Sequence, residues 1–376
     1  MTLSSEMVLF LTLVVSFLVT YFSIPTIISV AREKKLFDEP SSRKSHFQQI
    51  PTLGGVAIFV GITVSTGIFI SCNQMSSLQY ILVACIIVFF IGMKDDILVI
   101  APMKKLLGQI IAALILIIPG DIYFSNIHGF LNVYYLSTAT SLLLTLFVII
   151  VIVNSFNLID GIDGLAASLG MLTTAFFGVW FFISGNIAYC LLSTAVFGTL
   201  LAFFRFNVFG GKNKIFMGDT GSLLIGLLIA VQVIFFNEKN IEITSAFSIK
   251  SAPAVSFSVL IIPLYDTIRV FLIRMSRGRS PFSADKNHLH HCLLKLGFSH
   301  GQSTFIIVLV NIAFILLALL LQNIGIVWLM IVILSIATIL TFYLEYLVRK
   351  ASHQSVPVVE KEKLKGRHTG LKQTSN

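Results

Sequence analysis

An all-α polytopic membrane protein is the fold class this sequence predicts, and three observations predict it. Of 376 residues, 56% are hydrophobic and only 11% are charged, against about 25% charged in an average soluble domain. The mean hydropathy is +0.93. The apolar residues fall in long runs, and a spanning helix needs roughly 20 of them. A secreted disulfide scaffold, a disordered chain and a soluble nucleotide-binding enzyme are excluded. Of the four cysteines, no pair has metal-ligand spacing, so neither a disulfide framework nor a zinc site is expected.

About eleven apolar segments can be marked: 7–30, 53–71, 79–93, 104–119, 137–154, 164–184, 187–204, 219–236, 252–274, 303–321 and 324–347. The first lacks a basic start and is too long for a cleavable signal. The connections alternate in charge. Of the 26 Lys and Arg residues, 24 fall on one side and only Lys239 and Lys250 on the other. The positive-inside rule then puts the N-terminus outside and the C-terminus in the cytoplasm. The net charge of +9 is accounted for by topology, so no nucleic-acid partner is invoked. One outer connection, DIYFSNIHGFLNVYY, is aromatic and partly alternating, and reads as a small interfacial hairpin. Residues 1–350 read as one membrane domain with cytoplasmic loops. Residues 351–376 read as a flexible basic tail that membrane lipids attract.

Ionisable residues gather at the inner ends of the spans, where they are functional candidates by default. Asp95 and Asp96 lie in GMKDDILVIAPMKKLLGQ. Adjacent carboxylates repel unless a cation sits nearby, and Mg²⁺ or a lysine (Lys104 or Lys105) would serve. A solvated loop is the plain alternative.

The most informative stretch is NSFNLIDGIDGLA, residues 154–166. Asn154, Asn157, Asp160 and Asp163 recur every third residue, a sweep of about 180° on a helix. They cannot share a narrow stripe unless the helix ends, and Gly161 and Gly164 suit an ending. Two asparagines on a last turn and two aspartates on a loop follow. One cap needs one such residue, not four.

IFMGDTGSLLIG, residues 215–226, places Asp219 where an N-cap would stand. Helix-start N–H groups also bind phosphate or position a metal, and Lys212 and Lys214 lie just upstream. The loop SPFSADKNHLHHCLLKLGFSH adds Asp285, Lys286, His288, His290 and His291. No cysteine or carboxylate stands at zinc spacing there, and Arg274, Arg277 and Arg279 suggest an anion instead. His300, further along, is expected to matter much less. Asp266 and Arg269, neighbours on one helix face, read as a structural pair that braces this loop.

Acids, amides, lysines and histidines on one membrane face suit a Mg²⁺-dependent phosphoryl transfer. The lipid–water boundary implies one greasy and one soluble substrate.

These motifs carry a resemblance. The chain resembles the polyprenyl-phosphate N-acetylhexosamine-1-phosphate transferase family from about residue 5 to 347. The resemblance rests on DEPSSRKSH and IPTLGG (38–55), Asp95-Asp96, NSFNLIDGIDGLA, FMGDTGS and ADKNHLHH, in that order. It implies attack of undecaprenyl phosphate on the β-phosphate of a UDP-N-acetylhexosamine, with UDP-GlcNAc the expected donor, giving the diphosphate-linked sugar and UMP. That is the first membrane step of an envelope polysaccharide, in a bacterial inner membrane. It implies Asp219 as principal Mg²⁺ ligand with Asn157 beside it, Mn²⁺ being a substitute. Asp95 or Asp96 then deprotonates or orients the lipid phosphate, and Lys105 contacts phosphate. Asp160 and Asp163 shape the nucleotide side. His288, His290 and His291 hold sugar and diphosphate, with Asn154, Lys214 and Asp285 as further substrate contacts. The histidine loop resembles that of the family branch that starts O-antigen, teichoic acid or capsule chains, and Cys292 stands where this branch often has Arg. A UDP-MurNAc-pentapeptide transferase, a secondary transporter and a CDP-alcohol phosphotransferase are the alternatives. A homodimer and a two-step mechanism are left open.

Overall fold

The computed structural model describes residues 4–37, 50–71, 74–242, 247–276, 278 and 288–354. All eleven predicted segments fall on helices. Backbone groups in hydrocarbon must be satisfied within their own segment, which is why these runs are helical. In order they are α1 (Ser5–Glu33), α2 (Gly54–Phe69), α3 (Leu78–Leu98), α4 (Pro102–Ile117), α5 (Thr138–Ile159), α6 (Leu165–Ile183), α7 (Ile187–Phe209), α8 (Gly218–Glu242), α9 (Ala252–Val259), α10 (Ile261–Ser276), α11 (Leu289–Lys295), α12 (His300–Leu321) and α13 (Ile326–Gln354).

Among the described residues, α1, α5, α6, α7, α8, α12 and α13 are each long and apolar enough to cross a membrane. The pair α9 and α10 makes an eighth if counted as one broken span. Helices α2 and α4 have 16 residues each, about 24 Å of rise against a hydrocarbon core of about 30 Å. Phe22, Phe147, Phe305, Leu320 and Trp328 are exposed on the outside of the bundle, as side chains facing lipid would be.

Helix α8 is the central pillar. A helix apolar on every side belongs in a core, and each apolar side chain from Leu223 to Val231 is at most 1% exposed. It packs against α5, α3, α2 and α6. Its N-terminal end carries Asp219, and its C-terminal end holds the opposite face together. There β1 (Asn126–Phe130) and β2 (Val133–Tyr135) form the expected antiparallel hairpin. The Glu238 carboxylate accepts the Ser125 N–H and hydroxyl at 2.8 and 2.6 Å.

One expectation is corrected. Segment 252–274 is not one straight span but two helices bent by 80° around Leu260. Pro263 is the cause: it lacks an N–H, and its ring would collide with the Val259 carbonyl four residues back. Asn311 of α12, fully buried, donates to that carbonyl at 3.0 Å and accepts from the Ile262 N–H at 3.4 Å. A side chain thus satisfies the backbone that the break exposes.

Candidate active site

The site forms where the ends of α3, α4, α5 and α8 meet. Lys105, on the first turns of α4, lies among three oxygens. Its Nζ is 3.2 Å from Asp95 Oδ2 and 3.4 Å from Asn157 Oδ1, and it donates to Asp219 Oδ2. The Asn157 amide donates to Asp219 Oδ1 at 2.7 Å and to the Ser222 hydroxyl at 3.0 Å. Asp95 also accepts the Ile100 N–H at 2.7 Å, which closes the turn between α3 and α4. The sequence separates Asp95 from Asp219 by 124 positions, and the bundle brings them to one point.

Asp219 is not the cap of its helix. It is the second residue of α8, and the cap comes from another helix. Asp96 accepts the Asp219 N–H at 2.7 Å, and the Thr220 N–H and hydroxyl at 3.0 and 2.5 Å. The two adjacent aspartates therefore face different partners.

Around this centre, α5 ends at Ile159, with Asn154 and Asn157 on its last turns and Asp160 and Asp163 on the loop, as expected. Asn154 is taken up by an amide pair with buried Gln109 at 2.7 Å, so it braces α5 against α4 rather than pointing at a ligand. Asp160 has no hydrogen-bond partner among the described residues. Burial, then the charges of Asp219, Asp96 and Asp163, push its pKa up to about 7. Asp163 is the opposite case. Burial works against its charge, yet hydrogen bonds from His300 (2.9 Å) and Lys214 (2.6 Å) hold its pKa below the usual carboxylate value.

His300, expected to matter much less, contacts Asp163 at 2.9 Å. With Thr304, whose hydroxyl donates to the Asp163 carbonyl at 3.0 Å, it ties α12 to the aspartate loop. Asn207 adds a further tie, accepting the Gly164 N–H at 2.6 Å and donating to the Ile215 carbonyl at 2.9 Å. Neither Asn207 nor Gln109 stood out in the sequence, because a single amide in an apolar helix carries no pattern.

The histidine segment is held from below. Asp266, 1% exposed, contacts His288 Nδ1 at 2.9 Å and accepts the Leu289 N–H at 3.1 Å and an Arg269 N–H at 2.9 Å. A carboxylate only accepts, so the His288 proton sits on Nδ1. Arg269 passes the link to Glu345 of α13 at 2.7 Å. The pair does brace the loop. His290 is fully buried, with no hydrogen bond on either ring nitrogen among the described residues. It lies over Gly161, where a Cβ would stand 2.2 Å from its Nε2. Burial and the neighbouring His291 bring its pKa down to about 3, so it is neutral at pH 7. His291 is half-buried. Two of the three predicted histidines are thus packed inside rather than displayed. Asp285, Lys286, Arg277 and Arg279, and the DEPSSRKSH stretch, lie outside the described residues.

Fold and site define a polytopic helical membrane protein with a cluster of carboxylates, amides and lysine at one end of its central helix. The sequence profile described as glycosyl transferase family 4 matches residues 78–237. A decaprenyl-phosphate N-acetylglucosaminephosphotransferase of Mycobacterium tuberculosis H37Rv is 32% identical over 317 residues, 78% of this chain and 77% of that one. The Mycobacterium leprae protein of the same name is 30% identical over 316 residues, 78% of each. An undecaprenyl-phosphate alpha-N-acetylglucosaminyl 1-phosphate transferase of Escherichia coli K12 is 29% identical over 326 residues, 84% of each. The chain belongs to glycosyl transferase family 4, the polyprenyl-phosphate N-acetylhexosamine-1-phosphate transferases.

Proposed function

We propose that the protein transfers N-acetylhexosamine 1-phosphate from a UDP-sugar, UDP-GlcNAc first among them, to undecaprenyl phosphate. The observation that carries this reading is the meeting of Asp95, Asn157 and Asp219 oxygens around the Lys105 ammonium. It lies at one end of the bundle, where a lipid phosphate and a soluble nucleotide could both arrive. A transporter would place such groups near the membrane midplane. The relatives' names supply the polyprenyl phosphate and the N-acetylglucosamine phosphate.

The donor set fits Mg²⁺. Two carboxylates and an amide carbonyl are hard oxygen ligands, and they already gather around a cation of the chain's own. Asp219 and Asn157 would hold the metal, which supplies charge neutralisation on the diphosphate. An oxygen of the lipid phosphate forms a bond to the β-phosphorus of the UDP-sugar. The bridging bond to the α-phosphate breaks, and UMP leaves with that electron pair. Asp95 faces the centre and is placed to orient the lipid phosphate or accept its proton. Lys105 is placed to meet phosphate charge. Asp163, fixed by Lys214 and His300, shapes the loop on which Asp160 offers a free carboxylate to the nucleotide side. His290 packs over Gly161 of that loop and Asp266 holds His288, which leaves half-buried His291 as the histidine to meet sugar or diphosphate.

Purified full-length protein, given undecaprenyl phosphate, Mg²⁺ and UDP-GlcNAc, should release UMP and form a diphosphate-linked lipid. A panel with UDP-GalNAc, a 6-deoxy UDP-HexNAc and UDP-MurNAc-pentapeptide identifies the donor. No UMP from any of them, with Mg²⁺ or Mn²⁺, would overturn the proposal.

The same reading puts one transferase domain of eleven spans, residues 1–350, in a bacterial inner membrane, with the N-terminus outside. A cysteine at position 250, exposed in the connection after α8, should then react with an impermeant reagent from outside, and one at 285 should not. The reverse pattern would put the site on the wrong side for a cytoplasmic nucleotide sugar.

A further inference from the structure

We infer that Asp96 is a positioning residue: it caps α8 from α3 and so aims Asp219, without touching a substrate. The inference rests on the reading of Asp219 as a metal ligand. It separates two residues that are side by side in sequence and alike in type.

Adjacent residues on a helix point about 100° apart. At this end of α3 that difference sends Asp95 toward Lys105 and Asp96 toward the first turn of α8. The first N–H groups of any helix lack intrahelical partners. A polar residue just before the helix usually takes them. The residues just before α8 are Phe216 and Met217, and its first residue is Gly218; none of these side chains offers an oxygen. Asp96, 123 residues away, supplies both oxygens instead, one to the Asp219 N–H and one to the Thr220 N–H. A carboxylate at a helix N-terminus is favourable in charge as well as in hydrogen bonding. The Thr220 hydroxyl completes the set, and Thr220 is fully buried. With three donors on two oxygens, Asp96 has little left for a ligand.

The packing is built for this approach. Gly92, one turn before Asp96 on α3, lies directly on Thr220: a Cβ there would stand 2.4 Å from the Thr220 Cα. A Cβ on Gly218 would stand 2.6 Å from Asp96 Oδ2. Both glycines let α3 and the start of α8 close on each other. Asp219 is thereby held through its own backbone N–H, and its carboxylate is left free to face Lys105 and Asn157. Without Asp96 the first turn would lose its cap, and the Asp219 carboxylate would no longer have one fixed direction.

Thr220 makes the idea testable without disturbing any group that could meet substrate. Full-length protein in detergent would be titrated with Mn²⁺ by electron paramagnetic resonance, and UMP release would give kcat and the KM for undecaprenyl phosphate. Thr220→Val keeps the shape and removes the hydroxyl donor. It should weaken Mn²⁺ binding about tenfold, about 1.4 kcal/mol, with an unchanged KM for the lipid. Thr220→Ser should restore the affinity. Asp96→Asn should weaken Mn²⁺ at least as much, and adding Thr220→Val to it should cost little more, since both act through one contact. If Asp96→Asn does not fold, the Thr220 pair decides alone. Unchanged Mn²⁺ affinity in Thr220→Val, or in a folded Asp96→Asn that has lost turnover, would overturn the inference and return Asp96 to the substrate. A wild-type protein that binds Mn²⁺ but releases no UMP would instead count against the proposed function.

Discussion

Replacing Asp219 by Asn is expected to reduce Mg²⁺-dependent UMP release by at least about a hundredfold, the scale on which active sites lose rate when one electrostatic stabiliser goes. The carboxylate is the shared partner of Lys105 and Asn157, so with Asp95 it supplies the negative charge that attracts a divalent cation at this point. The fold should survive. The helix start is capped by Asp96 through backbone N–H groups that the substitution leaves in place. An amide oxygen can also still accept from Asn157. Mg²⁺ titration of the variant, with thermal unfolding measured beside it, separates lost metal from lost structure. Near wild-type turnover at ordinary Mg²⁺ would reduce Asp219 to a structural residue.

Lys105→Met is expected to lower kcat/KM by about a hundredfold, again the scale of one lost charge at a reacting phosphate, while Mn²⁺ binding becomes tighter. The two effects have opposite signs because the ammonium is placed for two relations. It attracts phosphate, but it also sits among the oxygens that a divalent cation would take. Its side chain is only 15% exposed, so water screens neither relation fully. Methionine keeps the length of the side chain and removes the competitor. Electron paramagnetic resonance with Mn²⁺ reports the affinity, and UMP release reports the rate. A loss of both together would mean that Lys105 stabilises the metal-ligand set instead of competing for it.

The parts of this protein that one sequence made legible are those governed by local chemistry. The apolar runs located every long helix, because a chain in hydrocarbon has no other way to satisfy its backbone. The three-residue rhythm of Asn154, Asn157, Asp160 and Asp163 located a helix end, because four polar residues cannot fit one stripe. The aromatic connection read as a hairpin became one. Even the broken span has a local signal in Pro263, masked by the apolar residues on either side of it.

What residues do to one another across the bundle was decided only by the tertiary structure. Asp95 and Asp96 are interchangeable in sequence, yet one faces Lys105 and the other caps a helix 123 residues away. Asn154 and Asn157 differ by three positions, yet one is spent on Gln109 and the other holds Asp219. Of the histidines expected to hold sugar and diphosphate, His288 is bound by Asp266 and His290 is buried, while His300, further along the chain, contacts Asp163. The physical reason is direction. A sequence shows which groups have charge or hydrogen-bonding capacity, but their partners depend on helix rotation and on which helices pack together. Those are fixed by contacts between segments far apart in the chain.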